Sequence, residues 1–474
     1  MKQLKADVVV IAAGPAGLAA AVTAAENGAS VIVFEKASIS GGTANMGSGP
    51  FAVESKVQKL NQMTLSKEDA FRLYMDFNQW RVNGRLVSEL INMSASTIDW
   101  LEKMGVEFLA VSSHNPGYNY TFHPVKPESG KGSGGATLMK ILTERAKELG
   151  VEIFLKTPAQ KIIKENGRIA GVIAENKPEE LIQVATKAAI IATGGTGGYY
   201  ANRLPSLTND GVRMAREAGA EITEVTIGPQ PAVSDINQNL RGGSTVFVTF
   251  RQPNLIVNLL GERFMDEEVL IISPFSSNAC GRQKDHTVFN IFDEDTKNYY
   301  VENGVEFPAP AGGARLSGVK TTNFDTELQQ AFEKGLKHLF MADSLETLAR
   351  ETGIEFDSLQ QTVDEYNHAC ETGRDEIFHK KARYLRPVIN PKFYAIKSIF
   401  DPPKVIEGIK INYKTEVLTK DYEVIAGLYT AGVDIGSELY TYTYPFLLPG
   451  NAMGYAINSG RIAGERAAKY ALAK

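Results

Sequence analysis

The feature that most constrains this chain lies at its start, where an apolar run, a glycine-bearing turn and an alanine-rich segment follow one another. Val8 to Ala12 reads as a buried parallel strand, Pro15 to Asn27 as a helix and Val31 to Phe34 as the next buried strand. That order makes a βαβ unit. Its turn, Ala12-Ala13-Gly14-Pro15-Ala16-Gly17, keeps the second and third glycines of GxGxxG, where backbone approaches a pyrophosphate and the helix packs closely on the sheet. Ala12 stands at the first glycine position, so the turn is expected to run through a conformation that a β-carbon tolerates. Glu35 ends the second strand about 20 residues after the turn, where a carboxylate accepts both hydroxyls of an adenosine ribose and repels a 2′-phosphate. A dinucleotide site is expected, and NAD alone satisfies the pattern to this point.

At 474 residues the chain exceeds what one hydrophobic core usually serves, so two domains are expected. A net charge of -5 and a hydrophobic fraction of 43% give no basic footprint for nucleic acid, which leaves a small molecule as the expected partner. Cys280 and Cys370 stand in no metal or thioredoxin spacing, and the six histidines form no HExxH or CxxCH pattern, so no metal, haem or iron–sulfur site is expected. The uncharged run from Val8 to Ala25, preceded by Lys2 and Lys5, raises the question of a secretory signal or membrane span. Gly14 to Gly17 interrupts it where a nucleotide-binding turn belongs, and a cytoplasmic protein without membrane insertion is expected.

Further segments follow in a specific order. Lys36 leads to Gly41-Gly42-Thr43 and Ser48-Gly49-Pro50; then come Gly134-Gly135-Ala136-Thr137-Leu138, Thr157-Pro158-Ala159, Ala192-Thr193-Gly194-Gly195 and Thr208-Asn209-Asp210-Gly211. Near the C-terminus stand Gly427-Leu428-Tyr429-Thr430-Ala431-Gly432-Val433-Asp434, then Gly450-Asn451-Ala452-Met453 and Gly460 to Gly464. Together these resemble the flavoproteins of the fumarate reductase and succinate dehydrogenase family, which includes flavocytochrome c, urocanate reductase and ketosteroid dehydrogenase relatives. The resemblance spans the chain and implies an α/β fold: a Rossmann-like FAD-binding domain at 1–227 and 391–474, with an inserted α+β capping domain at 228–390. The substrate site is expected where the cap closes over the flavin.

The resemblance also assigns the cofactor site residue by residue. Ala13, Gly14, Pro15, Ala16 and Gly17 hold the pyrophosphate, Glu35 and Lys36 the adenosine side, and Gly41, Gly42, Thr43, Ser48 and Gly49 wrap the pyrophosphate and isoalloxazine edge. Ala159 contacts adenine through its backbone and Asp434 binds the ribityl chain; Ala192, Thr193, Gly194 and Asp210 are cofactor contacts through their match to the family's ATGG and TGDG segments. Gly450, Asn451, Ala452 and Met453 open a helix facing the pyrimidine side of the flavin, where its dipole favours negative charge on the reduced form. No histidine lies between Ser38 and Ser55, so FAD is expected to be non-covalent. With no second dinucleotide fingerprint and no haem motif, electrons are expected to be exchanged with an external donor or acceptor.

In this family, hydride passes from flavin N5 to one carbon of an activated C=C bond and an arginine protonates the other, while histidines and a second arginine hold carboxylates. Val257-Asn258 and Gly261 to Glu267 resemble the segment that leads to the proton-donating arginine, but its position holds Ile271. Gln230 stands where a substrate histidine belongs, Pro403 and Lys404 at paired histidines, and Leu447 at the carboxylate-clamping arginine. Each lost charge-assisted bond is worth about 1.5–3 kcal/mol, so a dicarboxylate is expected to be a poor substrate. A less charged, flatter or larger molecule fits better.

Leu439 to Leu448 alternates tyrosine with threonine before turning apolar, and reads as a strand with Tyr440, Tyr442 and Tyr444 on one face. Such a face needs no function to explain it. At this address the resemblance offers Tyr440 and Tyr442 as substrate contacts and Tyr444 as a phenol that delivers a proton. Arg251, aligned with a cap arginine of the proton relay, is a second catalytic candidate, although a lone arginine is more often a structural ion-pair partner than a catalyst; Tyr120 and His123 are candidates in the loop before Gly134. The leading expectation is an FAD oxidoreductase reducing an activated C=C bond beside a carbonyl or carboxyl group of a non-dicarboxylate substrate. A dehydrogenase that desaturates a CH–CH bond beside a ketone and a non-catalytic flavin-binding electron-transfer subunit are the alternatives.

Overall fold

In the computed structural model, which describes residues 1–113, 119–130, 133–177, 180–195, 206–231, 244–311 and 314–473, the opening segment folds as β1 (Val8–Ile11), α1 (Pro15–Glu26) and β2 (Val31–Phe34). Every residue of both strands is buried, which explains why neither carries a polar side chain. The buried strand β3 (Ala188–Ile191) and β4 (Val424–Thr430), buried from Gly427 onward, join them in the parallel order β4, β3, β1, β2, with Glu152–Phe154 beyond β2. Val8 is in register with Ala188 on one side and Val31 on the other. Antiparallel strands Ala159–Glu165, Arg168–Lys177 and Glu180–Ala185 extend this into a ten-stranded sheet. The chain leaves β1 toward one side and β3 toward the other, so a crevice opens at their C-terminal ends, where ligands of such sheets bind.

The long C-terminal helix α2 (Asn451–Leu472) crosses α1 at backbone distance. A β-carbon on Gly460 would lie 2.2 Å from the carbonyl oxygen of Ala16, and one on Gly464 would lie 2.3 Å from that of Ala20. The four-residue spacing puts both glycines on one face of α2, and the alanines of α1 supply the matching flat face.

Contacts divide the chain into two units, Met1–Ile227 with Val405–Lys474, and Gly228–Lys404. In the second, Leu255–Asn258, Thr287–Asp293, Leu339–Ala342 and Phe393–Asp401 form an antiparallel sheet, covered by helices Leu345–Thr352 and Phe356–Thr372 through Leu348, Leu359, Val363 and Tyr366. Phe393–Asp401 pairs along the whole of Thr287–Asp293 and so stays with this unit, and the first unit resumes at Val405.

The Gly261 to Glu267 segment serves the second unit's interior. Arg263 bonds Glu267 at 3.0 and 2.9 Å and Asp375 at 3.2 and 2.8 Å, while Lys380 reaches Glu267 at 3.3 Å and the Tyr366 hydroxyl at 2.7 Å. All four charged side chains are buried, so each depends on the others for the solvation it lost. Among the described residues, no helix is long and apolar enough to cross a membrane.

Candidate cofactor and active site

The turn after β1 does not follow the expected path. Ala12 adopts φ +82°, the left-handed region glycine favours, held there by its N–H to the Phe34 carbonyl at 2.7 Å. Gly17 explains the constraint from the other side, since a β-carbon there would sit 1.9 Å from the Ala12 carbonyl oxygen. Helix α1 then starts at Gly14-Pro15 with no side-chain cap, leaving first-turn N–H groups for a ligand. A β-carbon on Gly14 would meet nothing within 4 Å, so the backbone is open there.

Glu35, buried at the end of β2, accepts the N–H of Ala13 and that of Ala37, each at 2.7 Å, and its carbonyl accepts the N–H of Thr157 at 2.8 Å. Those bonds aim the carboxylate while each oxygen retains a lone pair. Gly41 donates to the Ala13 carbonyl at 2.7 Å, bringing the Gly41-Gly42-Thr43 turn beside the first glycine turn; Gly41 and Gly42 have φ +111° and +51°. Gly49 passes so close to His123 that a β-carbon would lie 1.9 Å from its carbonyl oxygen, and the Ser48 carbonyl accepts the Val125 N–H at 2.8 Å.

Asp434 lies in the 3-10 turn Gly432–Glu438 that follows β4. Fully buried, it accepts the N–H groups of Gly194 and Gly195, both at 2.9 Å, and the Thr193 hydroxyl at 3.0 Å. Burial pushes its pKa up, and these bonds only partly oppose that. Lys36 pairs with Asp210 at 2.7 Å; burial raises the Asp210 carboxyl, but bonds from Lys36 and Thr208 outweigh it and hold it below the usual value. Asn209, at φ +61°, takes the left-handed place where the family prefers glycine, and its amide donates to Glu407 at 2.6 Å. Ala192 and Ala159 are buried strand-end residues beside this crevice. An open glycine backbone, an uncapped helix start and an aimed carboxylate fit the pyrophosphate and ribose of FAD.

The tyrosine segment is not a strand. Leu439 to Leu448 runs irregularly, because the amide of Asn451 draws in the carbonyls of Pro445 at 2.6 Å and Leu448 at 2.9 Å and curls the chain onto the start of α2. Tyr440 and Tyr444 therefore stack, with centroids 5.9 Å apart and planes 22° apart, while Tyr442 turns outward. The Tyr444 hydroxyl donates to Asn451 and accepts the N–H of Ala452 at 3.0 Å. Gly450, at φ +87°, accepts the Phe51 N–H through its carbonyl at 2.9 Å, and a β-carbon on Gly47 would lie 2.5 Å from Met453. Leu447 packs against the apolar core of the first unit.

Tyr74 and Tyr455, which the sequence reading missed, complete this aromatic cluster: their rings lie 5.3 Å apart and Tyr74 donates to the Leu439 carbonyl at 2.6 Å. Tyr455 shares a helix face with Asn451 at i+4, the one sequence signal that points to it. Tyr120 is half exposed. His123 is fully buried between the Ser55 hydroxyl at 2.7 Å and the Thr121 carbonyl at 3.0 Å, and burial depresses its pKa to about 4.

The remaining candidates belong to the second unit. Arg251 is exposed, 5.5 Å from the Phe247 ring. Ile271 ends the short 3-10 helix Glu267–Ile271. The backbone of Gln230 is in register with Asp401, and Lys404 lies 3.6 Å from the Asp401 carboxylate, so both sit at one end of the same strand. Ala232 lies outside the described residues.

Comparison with known proteins agrees with this geometry. The chain matches the FAD binding domain family over residues 7–445. It is 32% identical over 488 aligned residues to the vinyl phenol reductase of Lactiplantibacillus plantarum, covering 98% of this chain and 96% of that protein. A cytochrome-type fumarate reductase of Shewanella frigidimarina is 27% identical, over 98% of this chain and 77% of that one. Among solved structures, the open conformation of a flavocytochrome c3 fumarate reductase is similar at a TM-score of 0.72 and 26% identity, over 99% of this chain and 79% of that one. The chain belongs to the FAD binding domain family, as an FAD-dependent oxidoreductase of the group acting on C=C and CH–CH bonds.

Proposed function

We propose that this protein reduces an activated C=C bond in a flat substrate that is not a dicarboxylate, such as an enone, a conjugated monoacid or a vinyl phenol. The observation that carries the reading is Leu447: where the family clamps a carboxylate with arginine, a half-buried apolar side chain packs against the core that also holds Tyr440, itself stacked on Tyr444. The similarity to a vinyl phenol reductase along nearly the full length of both chains supports the same substrate type.

When bound and reduced by an external donor, FAD would supply the hydride chemistry, and the chain's own part is to hold it, orient the double bond and deliver a proton from a side chain. The α1 entrance and Ala13 to Gly17 hold the pyrophosphate, Glu35 the ribose, and Thr193, Gly194 and Asp434 the ribityl chain. Gly41 to Thr43, Ser48 and Gly49 bring backbone to the flavin edge. Tyr440, Tyr442 and Leu447 offer the substrate aromatic and apolar surface, Tyr120, Gln230, Ile271 and Lys404 its remaining contacts, and Arg251 a charge for proton delivery. The inserted unit acts as the capping domain, FAD is held without a covalent link, and the protein works in the cytoplasm.

Titrating the visible spectrum of the oxidised, FAD-loaded protein tests the substrate preference. A neutral enone or a vinyl phenol is expected to perturb the flavin bands at concentrations where fumarate and succinate leave them unchanged. Saturable perturbation by a dicarboxylate at the lower concentration would overturn the reading.

A further inference from the structure

Asn451 fixes the direction of the hydrogen bonds that join Tyr444 to the start of α2. Its amide nitrogen lies 2.6 Å from the Pro445 carbonyl and 2.9 Å from the Leu448 carbonyl, so both N–H groups are used and Oδ1 is the acceptor that faces Tyr444. The phenolic proton therefore points at Asn451, and the phenolic oxygen accepts the Ala452 N–H at 3.0 Å. Ala452 belongs to the first turn of α2, whose N-cap, Gly450, has no side chain with which to satisfy that turn. A tyrosine from the preceding loop supplies the missing cap. Asn451 is buried, so water does not readily take over its bonds.

The same turn adjoins the cofactor crevice. The Gly450 carbonyl holds the Phe51 N–H at 2.9 Å, and Met453 packs on Gly47, in the loop whose other end, Gly41, is bonded to Ala13 at 2.7 Å. What fixes the first turn of α2 also fixes one wall of that crevice.

We propose that Tyr444 is a positioning residue and not the proton donor: with Asn451 it clamps the start of α2, takes up one of its N–H groups, and so sets how strongly this helix end favours negative charge on reduced flavin. The proposal rests on the reading that FAD occupies this crevice. An N–H turned toward a phenol is one fewer donor for an anion, and removing the hydroxyl returns it.

Tyr444→Phe and Asn451→Ala test this together, with three readouts: the midpoint potential of bound FAD, the pH profile of flavin reoxidation, and the melting temperature of the apoprotein. Tyr444→Phe is expected to raise the potential, equivalent to about two- to fivefold tighter relative binding of reduced FAD, and Asn451→Ala to move it the same way by freeing the phenol from the orientation in which it accepts the Ala452 N–H. Both should also melt lower as apoproteins, and the alkaline limb of the pH profile should persist. If Tyr444→Phe leaves the potential and the apoprotein melting unchanged and abolishes the alkaline limb, Tyr444 is the acid and the proposal fails. A variant that does not retain FAD is judged on apoprotein melting, which an acid without a capping role would not lower. Wild-type protein that binds no FAD would sink the underlying reading, whereas bound FAD with an unmoved potential in both variants sinks the proposal alone.

Discussion

The carboxylate of Glu35 bonds the N–H of Ala13 through one oxygen and that of Ala37 through the other, each at 2.7 Å, tying the glycine turn after β1 to the end of β2. Glu35→Ala would strand both N–H groups, at about 1–3 kcal/mol each, and remove the ribose acceptor. A lower urea midpoint for the apoprotein and FAD binding weaker by about tenfold or more are expected. Glu35→Gln, which keeps one acceptor oxygen, should fall between. Wild-type stability and affinity in Glu35→Ala would show that the carboxylate ties nothing together.

Gly460 tests the crossing of the two long helices. A β-carbon there would lie 2.2 Å from the Ala16 carbonyl oxygen, which is backbone and cannot swing aside. Gly460→Ala is expected to destabilise the protein by about 1–3 kcal/mol or more through overpacking. Thermal unfolding measures it, and an unchanged melting temperature would mean that α1 and α2 do not approach this closely.

Much of this was legible in the sequence where one physical cause dominates. Val8–Ile11 and Val31–Phe34 are apolar throughout because both faces are buried, and Gly17, Gly460 and Gly464 mark backbone contacts that only a missing β-carbon permits. Where tertiary bonds override local pattern, the sequence misled. Alternation in Leu439 to Leu448 suggests a strand, yet the two bonds from Asn451 to Pro445 and Leu448 curl it. Ala12 is held at a positive φ by neighbours that its own identity does not announce. His123 looked available in a loop, and only the fold shows it buried against Ser55.

Arg263 and Asp375 form the core of the second unit's buried charge cluster, 2.8 Å apart. Burial raises the Asp375 carboxyl, but the Arg263 hydrogen bond and the N–H groups of Phe378 and Ile377 outweigh it and hold the pKa down to about 2. Because the folded value lies below the unfolded value of about 3.9, the ionised group contributes stability at higher pH that is lost as pH falls toward about 2. Asp375→Asn is expected to cost about 3–5 kcal/mol at neutral pH, because Arg263 and Lys380 are then left to share the one carboxylate of Glu267, with a buried positive charge uncompensated. Its stability should also vary less with pH over that acid window, as followed by urea unfolding at each pH.

His123 gives a second pH dependence, at higher pH. Its folded pKa of about 4 lies below the unfolded value of about 6.5, so the neutral ring contributes stability above the latter that fades as pH falls through the former. Replacing it with glutamine should flatten the stability profile in this range. An equally steep profile in His123→Gln would place the proton uptake elsewhere.

Stopped-flow reoxidation tests the central claim most directly: the FAD-loaded protein is reduced anaerobically and mixed with a neutral enone, a vinyl phenol, a conjugated monoacid or fumarate. Rapid reoxidation by at least one of the first three, and slow or absent reoxidation by fumarate, is the expected result. Fumarate as the fastest acceptor, or no reoxidation by any alkene alongside flavin reduction by saturated ketones, would contradict it.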